Sequence, residues 1–320
     1  MRIAILGPGG IALKHAAAAR ALGHEVVAAI GRDAGRTAAF TAAHGGEPFT
    51  DLDRAIDATA PQLLIDAVPP FFRRGEAEHA AGHGIHLLVE KPVALTTDAA
   101  GRMVAAAEAA GVVAANGFMY RFGDAIGAWR AAETGPVGLY AGSYHCNALH
   151  APWWRDAVRS GGQLVEQLIH QVDLIRHLMG EADTVYARRA NLFHRNVEGY
   201  TAEDVGAVVF GWNDGRVATL NASNIATPGV WAKAWQVYAE RLTGHFAGWN
   251  DAVFTPTREG AAPQVVTGTT DVFQAQLADV VAAIEQGRPP AVTLADGAKS
   301  LALALAAARS ADEGREVRLT

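Results

Sequence analysis

The sequence predicts an α/β protein, with an N-terminal Rossmann domain followed by a C-terminal α+β domain on an open, mainly antiparallel sheet. Three observations carry that expectation. Short apolar runs alternate with alanine-rich helical stretches through residues 1–120, a spacing that implies parallel strands joined by crossovers. A glycine-rich turn separates the first strand from the first helix. Past Phe122 the pattern changes to one long helix and then longer alternating strands, as in an α+β layer.

The elements follow in order. Arg2–Leu6 reads as a strand and Ile11–Leu22 as a helix ended by Gly23. Glu25–Ile30 is a second strand, and Gly35–His44 a helix closed by Gly45 and Gly46. A short helix over Asp51–Ala58 precedes a strand at Leu63–Val68 and a helix at Arg74–Gly82. Ile85–Val89, Asp98–Ala110 and Val112–Ala115 complete the first half as strand, helix and strand. Runs such as IAIL and HLLV are apolar without alternation, which suits strands covered on both faces. In the second half a helix is expected over roughly Gln163–Met179. Val205–Phe210 and Val217–Ala222 then flank Asn213-Asp214-Gly215, a strong hairpin signal. Helices over Val272–Gln286 and Ala295–Glu313 close the chain. The expected domains are 1–120, dinucleotide-binding, and 121–320, for substrate and oligomer contacts, with the C-terminal helix able to pack back on the first.

Composition narrows the function. Half of the 320 residues are hydrophobic and 19% are charged, so a core is affordable and a disordered chain is excluded. The 27 basic and 33 acidic residues form no long run of either sign, which argues against nucleic acid and anionic membrane as partners. Cys146 is the single cysteine, so no internal disulfide forms, and a cytoplasmic setting is expected. The opening apolar stretch is interrupted by Gly7, Pro8, Gly9 and Gly10 and followed by Lys14 and His15, unlike a signal peptide. No apolar run reaches the roughly 18–20 residues that a membrane span needs.

Four constellations carry chemistry. Gly7-x-Gly9-x-x-Ala12 sits between a strand and a helix. Gly7 permits a tight turn, Gly9 lets backbone approach a pyrophosphate, and Ala12 allows close packing, with the helix N-terminus facing the phosphates. Gly10 and Ile11 complete the loop. At the end of the second strand the usual position of an NAD-selecting acid is Gly31, followed by Arg32 and Asp33. A guanidinium there can pair with a 2′-phosphate, which favours NADP(H) over NAD(H). The rival reading leaves Arg32 in solvent and gives Asp33 the ribose. Glu90-Lys91-Pro92 follows the strand HLLV, where a doubly wound sheet presents ligands. There the ammonium can polarise a hydroxyl or carbonyl oxygen; alternatively, the pair is an ordinary surface Glu-Lys. Finally, Glu166, His170, Asp173 and His177 are spaced four, three and four apart, on one face of an unbroken helix. A carboxylate one turn from an imidazole gives an acid–base pair. Zinc or iron ligation by this set and a merely solvated helix face are the rivals, and no metal is expected. His177 is placed outside the site.

Taken together, the motifs GPGGIA, VEKP, GFMYRF at Gly117–Phe122, WWRD at Trp153–Asp156, SGG at Ser160–Gly162 and EQLIHQVD resemble the Gfo/Idh/MocA oxidoreductases almost from end to end. The closing GRPPAVTLADG and SADEGREVRL extend the match. The resemblance implies hydride transfer at a sugar or cyclitol carbon and a second-domain sheet that often forms homo-oligomers. It implies that Lys91 contacts substrate, that His170 is the general acid/base, and that Glu166 and Asp173 are its carboxylate neighbours. Arg121, Trp154 and Arg155 fall near nicotinamide and substrate, and Val68, Pro69 and Glu90 join the cofactor contacts. Three departures stand out: Glu166 replaces an Asp, Leu168 replaces a Gly, and Val68-Pro69-Pro70-Phe71-Phe72-Arg73 replaces Thr-Pro-Asn-x-x-His. The expected activity is an NAD(P)-dependent dehydrogenase or reductase. The alternatives are an NAD-dependent glycosidase of the same family and a non-catalytic cofactor-sensing regulator.

Overall fold

The first apolar run, Arg2–Leu6 (β1), is an inner strand of a six-stranded parallel sheet. Its companions are Glu25–Ile30 (β2), Glu47–Phe49 (β3), Leu63–Asp66 (β4), His86–Val89 (β5) and Ala114–Asn116 (β6), in the order β3-β2-β1-β4-β5-β6. That is the Rossmann order. The helices Gly10–Ala21 (α1), Ala34–His44 (α2), Leu52–Thr59 (α3), Glu76–Gly82 (α4) and Thr97–Ala109 (α5) follow successive strands. The computed structural model describes residues 1–146, 151–225 and 229–319. The chain forms two compact units. The first is Met1–Met119 with Asp271–Lys299, and the second is Tyr120–Thr270 with the chain from Ser300 onward, a division that falls inside the helix Leu294–Glu313.

Sequence pattern explains the first unit. Ile3, Ile5, Leu63, Ile65 and Leu88 are fully buried and pack with Ala12, Ala16 and Ala19 of α1. The alanines let helix and sheet approach closely. Leu277, Val280 and Val281 of the helix Val272–Gln286 enter the same core. Asp33, Asp51 and Thr96 cap α2, α3 and α5 by accepting from Arg36, Arg54 and Ala99 N–H groups, each offsetting an orphan helix donor. The edge strand β3 lies outside the sequence expectations. It is three residues long and includes Pro48, whose missing N–H is tolerated only at a sheet edge.

In the second unit the chain runs through Val137–Cys146 (β7), Thr184–Ala190 (β8), Val205–Gly211 (β9), Val217–Ser223 (β10), Trp231–Ala239 (β11), Leu242–Phe246 (β12), Ala252–Pro256 (β13), Gln264–Val266 (β14) and Val317–Arg318 (β15). The sheet order is β14-β13-β12-β11-β7-β10-β9-β8-β15, antiparallel except where β10 pairs with β7. The expected hairpin is β9 and β10, pairing Val217 with Gly211 across the Asp-Gly turn. One face is buried through Tyr140, Phe210, Leu220, Trp235, Val237 and Phe254. Among the described residues no helix is long and apolar enough to cross a membrane.

The expected single helix over Gln163–Met179 is a correction. It is two helices, Gln163–Glu166 and Ile169–Met179, broken at Gln167 and Leu168. Both Gln167 and Leu168 N–H groups donate to Gln163 O, and Gln171 N donates to Leu168 O, three residues back. Buried side chains tie this break to the sheet: Gln163 donates to Asn224 Oδ1 at 3.0 Å, and Gln167 Oε1 accepts from the Cys146 thiol. Glu166 therefore lies outside the helix that carries His170, Asp173 and His177, and spacing alone does not put it on their face.

Candidate active site

The glycine loop of the first unit is shaped by close approach. Gly7 has φ +85°, and a Cβ there would lie 2.5 Å from Val68 Cγ1. Only glycine fits. Gly9 then caps α1 without a side-chain bond, and α1 has no acidic residue in its first turn. A Cβ on Gly10 would meet nothing within 4 Å. A helix N-terminus with no side-chain cap, no acid in its own first turn and open space at Gly10 suits a pyrophosphate. Ala12 is fully buried, which makes the tight packing its role. The residues present fit a dinucleotide.

At the end of β2, a Cβ on Gly31 would come within 2.6 Å of Thr37 Oγ1 and 2.7 Å of Pro8 Cδ, so this position has no room for an acid. The Arg32 guanidinium is exposed and stacks 3.7 Å from the centre of the Phe72 ring. Asp33 is occupied as the cap of α2, accepting from Arg36 N at 3.0 Å. Val68 donates its N–H to Asp66 Oδ1 at 3.2 Å, and Pro69 leads into a single 3₁₀ turn over Pro70–Phe72.

Beyond β5, Glu90 is 5% exposed. Its Oε1 meets His15 Nε2 at 2.7 Å, and its Oε2 accepts from the Lys91 N–H at 3.1 Å. Burial pushes the Glu90 carboxyl up, but the His15 bond and the charges of His15 and Lys91 outweigh it, and the net direction is down. Lys91 is half-buried at the carboxyl end of β5, and its peptide to Pro92 is cis. His15 is not among the site residues expected from the sequence. Its signal was legible, because it shares the buried face of α1 with Ala12, Ala16 and Ala19.

In the second unit, the 3₁₀ turn Met119–Phe122 presents Tyr120 and Arg121. The Tyr120 ring stacks on His170, centroids 4.3 Å apart and planes 11° from parallel. Arg121 closes on Asp173 through Nε–Oδ2 at 2.7 Å and Nη2–Oδ1 at 2.6 Å, and Ser300 donates to the same carboxylate at 2.9 Å. Burial pushes the Asp173 carboxyl up, against the opposing pull of Arg121. Glu166 Oε2 accepts from Trp154 Nε1 at 2.6 Å. Arg155 is half-buried, and its carbonyl accepts from Thr201 and Ala202 N–H groups. His177 faces Arg130 at 2.9 Å. The unit thus joins Tyr120 with His170, Arg121 with Asp173 and Trp154 with Glu166. Lys233, missed by sequence pattern, lies 4.8 Å from the Trp249 ring centre and 5.7 Å from that of Tyr120. Burial raises the Cys146 thiol to about 11, so it stays protonated and unreactive.

Among the described residues, the only three His, Cys, Asp or Glu donors that converge within 4.8 Å are Asp53, His79 and His83, all exposed. They lie on α3 and at the end of α4, outside every constellation read from the sequence.

A Rossmann unit whose glycine loop fits a dinucleotide, together with a second, mixed-sheet unit, is the architecture of a nicotinamide-dinucleotide oxidoreductase. Residues 1–118 match the profile described as "Oxidoreductase family, NAD-binding Rossmann fold", and residues 132–319 match its "C-terminal alpha/beta domain". The chain belongs to the Gfo/Idh/MocA oxidoreductase family. It is 31% identical over 219 residues to glucose-6-phosphate 3-dehydrogenase of Bacillus subtilis, covering 65% of this chain and 61% of that enzyme. It is 26% identical over 314 residues to 1,5-anhydro-D-fructose reductase of Ensifer adhaerens, covering 94% and 93%. The fold is that of levoglucosan dehydrogenase in complex with NADH and L-sorbose, with a TM-score of 0.91, 18% identity and coverage of 100% and 99%.

Proposed function

We propose that the chain is an NAD(P)-dependent dehydrogenase or reductase acting at a secondary alcohol or ketone carbon of a sugar or cyclitol. The observation that carries this is in the first unit: the uncapped, acid-free start of α1 belongs to the same unit as Lys91, which sits on a buried Glu90. The names of the curated relatives supply the substrate class. When bound, the nicotinamide supplies or accepts the hydride. His170, held face to face by Tyr120, takes or returns the hydroxyl proton. Lys91 steadies the charge that develops on that oxygen. Glu166 fixes Trp154, and Asp173 holds Arg121, leaving Arg155 among the groups that meet neighbouring hydroxyls.

NADP(H) is the favoured cofactor within this reading. Gly31 has no room for a carboxylate, Asp33 is committed to its helix cap, and Arg32 offers a cation in their place. Oligomerisation through the second-unit sheet is part of the same reading. Val209, Thr219, Ala141, Gln236, His245, Val253 and Val265 stand in register across seven strands, and Val209, Val253 and Val265 are exposed. With a single cysteine, a cytoplasmic setting fits.

The test is a panel of sugars, cyclitols and sugar acids with both dinucleotides, read by nicotinamide absorbance. Turnover of at least one polyol supports the reading. Dinucleotide binding with no turnover favours a sensor, and glycoside cleavage without net reduction of cofactor favours a glycosidase.

A further inference from the structure

Arg73 stands where the family resemblance places a histidine, and its side chain is 5% exposed. Its Nε donates to Asp66 Oδ2 at 2.9 Å and its Nη2 to Glu90 O at 2.9 Å. Its Nη1 reaches Pro92 O at 2.5 Å and Val93 O at 3.3 Å. The chain beyond Val89 has left the sheet ladder, so its buried carbonyls need donors from elsewhere. One guanidinium provides them for Glu90, Pro92 and Val93, the residues that bracket Lys91. Lys91 itself is held by its own N–H on Glu90 Oε2. Asp66, fully buried, offsets the cation's desolvation and also accepts from Val68 N–H in the cofactor loop. This pattern needs a planar fork with several donors. An imidazole has two ring nitrogens and an ammonium a single centre, so neither can span four acceptors.

We propose that Arg73 is a positioning residue for Lys91, fixing the backbone on both sides of it and so aiming its ammonium. The proposal rests on the reading that Lys91 acts on the substrate oxygen. Arg73 acts through the backbone around that lysine, and a misplacement of about 1 Å at a reacting group costs on the order of 10²-fold.

The experiment uses the full chain carrying Arg73→Gln, Arg73→Lys, Lys91→Met and the Arg73→Gln/Lys91→Met pair. The first readout needs no substrate. The chain has four lysines, Lys14, Lys91, Lys233 and Lys299, and acylation of each by an amine reagent is followed by mass spectrometry. In Arg73→Gln the rate at Lys91 should change about threefold or more while the other three keep theirs. Uniform acceleration at all four would mean general loosening and overturn the proposal. The second readout is turnover on a substrate found in the panel. Arg73→Gln should lower kcat on the order of 10²-fold, and should add under about twofold in the Lys91→Met background. Arg73→Lys, which keeps the charge without the fork, keeps the test open if Arg73→Gln fails to fold, and should recover part of the loss. Multiplying losses in the pair, or a folded Arg73→Gln with normal kcat beside an impaired Lys91→Met, would refute positioning alone. Normal turnover in Lys91→Met would instead refute the role of Lys91.

Discussion

Arg121 and Asp173 meet in a two-bond ion pair, 2.7 and 2.6 Å, with the carboxylate side chain 1% exposed and the guanidinium 7%. It joins the turn after β6 to the helix Ile169–Met179, which carries His170. The pair therefore sets where that helix sits relative to Tyr120. Removing one charge leaves the other buried, at a cost of about 3–5 kcal/mol. Asp173→Ala should lower the urea midpoint accordingly. Asp173→Leu combined with Arg121→Met should recover much of that loss, since no charge is stranded. Equal destabilisation in the single and the double variant would contradict this account.

The cofactor reading gives a second expectation. If Arg32 pairs with a 2′-phosphate, Arg32→Ala should weaken NADP(H) binding by about 1.5–3 kcal/mol, the range of a charge-assisted bond, and barely touch NAD(H). Gly31→Asp, the obvious switch toward NAD by sequence, is a poor design here. Its Cβ would press on Thr37 Oγ1 and Pro8 Cδ within 2.7 Å, disturbing the phosphate loop. It should weaken both dinucleotides. A clean gain of NAD affinity in titrations would show that the loop yields more readily than its packing suggests.

The pH dependence of stability follows from Glu90. Although burial raises its carboxyl, His15 and Lys91 bring it below the ordinary range. Across the interval between the two pKa values the unfolded chain binds more protons, so stability rises with pH. The contribution is complete above the unfolded pKa and is lost as pH falls through the lower folded value. Glu90→Gln should therefore flatten the acid limb of a stability-versus-pH curve. Acid limbs of equal steepness would remove Glu90 from the account.

Much of the fold was legible because it rests on local pattern. Continuous apolar runs marked β1, β2, β4 and β5, and Asp-Gly marked the turn between β9 and β10. What escaped was set by partners distant in sequence. No glycine or proline announces the break at Gln167 and Leu168; buried glutamines bonded to Asn224 and Cys146 accompany it. Glu166 was legible as a carboxylate four residues before His170, but its bond to Trp154 was not. Likewise nothing local in Phe71-Phe72-Arg73 reveals that the guanidinium reaches Asp66 and three carbonyls beyond β5.

Metal removal gives a fourth expectation. No ligand role is assigned to Glu166 or Asp173, whose carboxylates take Trp154, Arg121 and Ser300. Prolonged chelation should leave both fold and turnover intact. Loss of turnover together with release of stoichiometric zinc or iron would reverse the assignment.

The sharpest expectation concerns His170. It is 4% exposed, and Tyr120 covers one ring face, which limits its rotation and fixes the plane in which its nitrogens lie. A positioned general acid–base contributes about 10²–10⁴ in rate, so His170→Ala should lower kcat by that order. Dinucleotide affinity, followed by fluorescence quenching, should change little, because His170 is proposed to face the substrate and the proposed phosphate contacts, Gly7, Gly9 and Gly10, belong to the first unit. Lys91→Met keeps the stem and removes the charge. It should lower kcat comparably, with KM rising if the ammonium also holds the ground-state hydroxyl. Both groups are proposed to act on one oxygen, so the double variant should lose far less than the product of the single losses. Near-normal turnover of a genuine substrate by His170→Ala would overturn the mechanism while leaving the family assignment untouched.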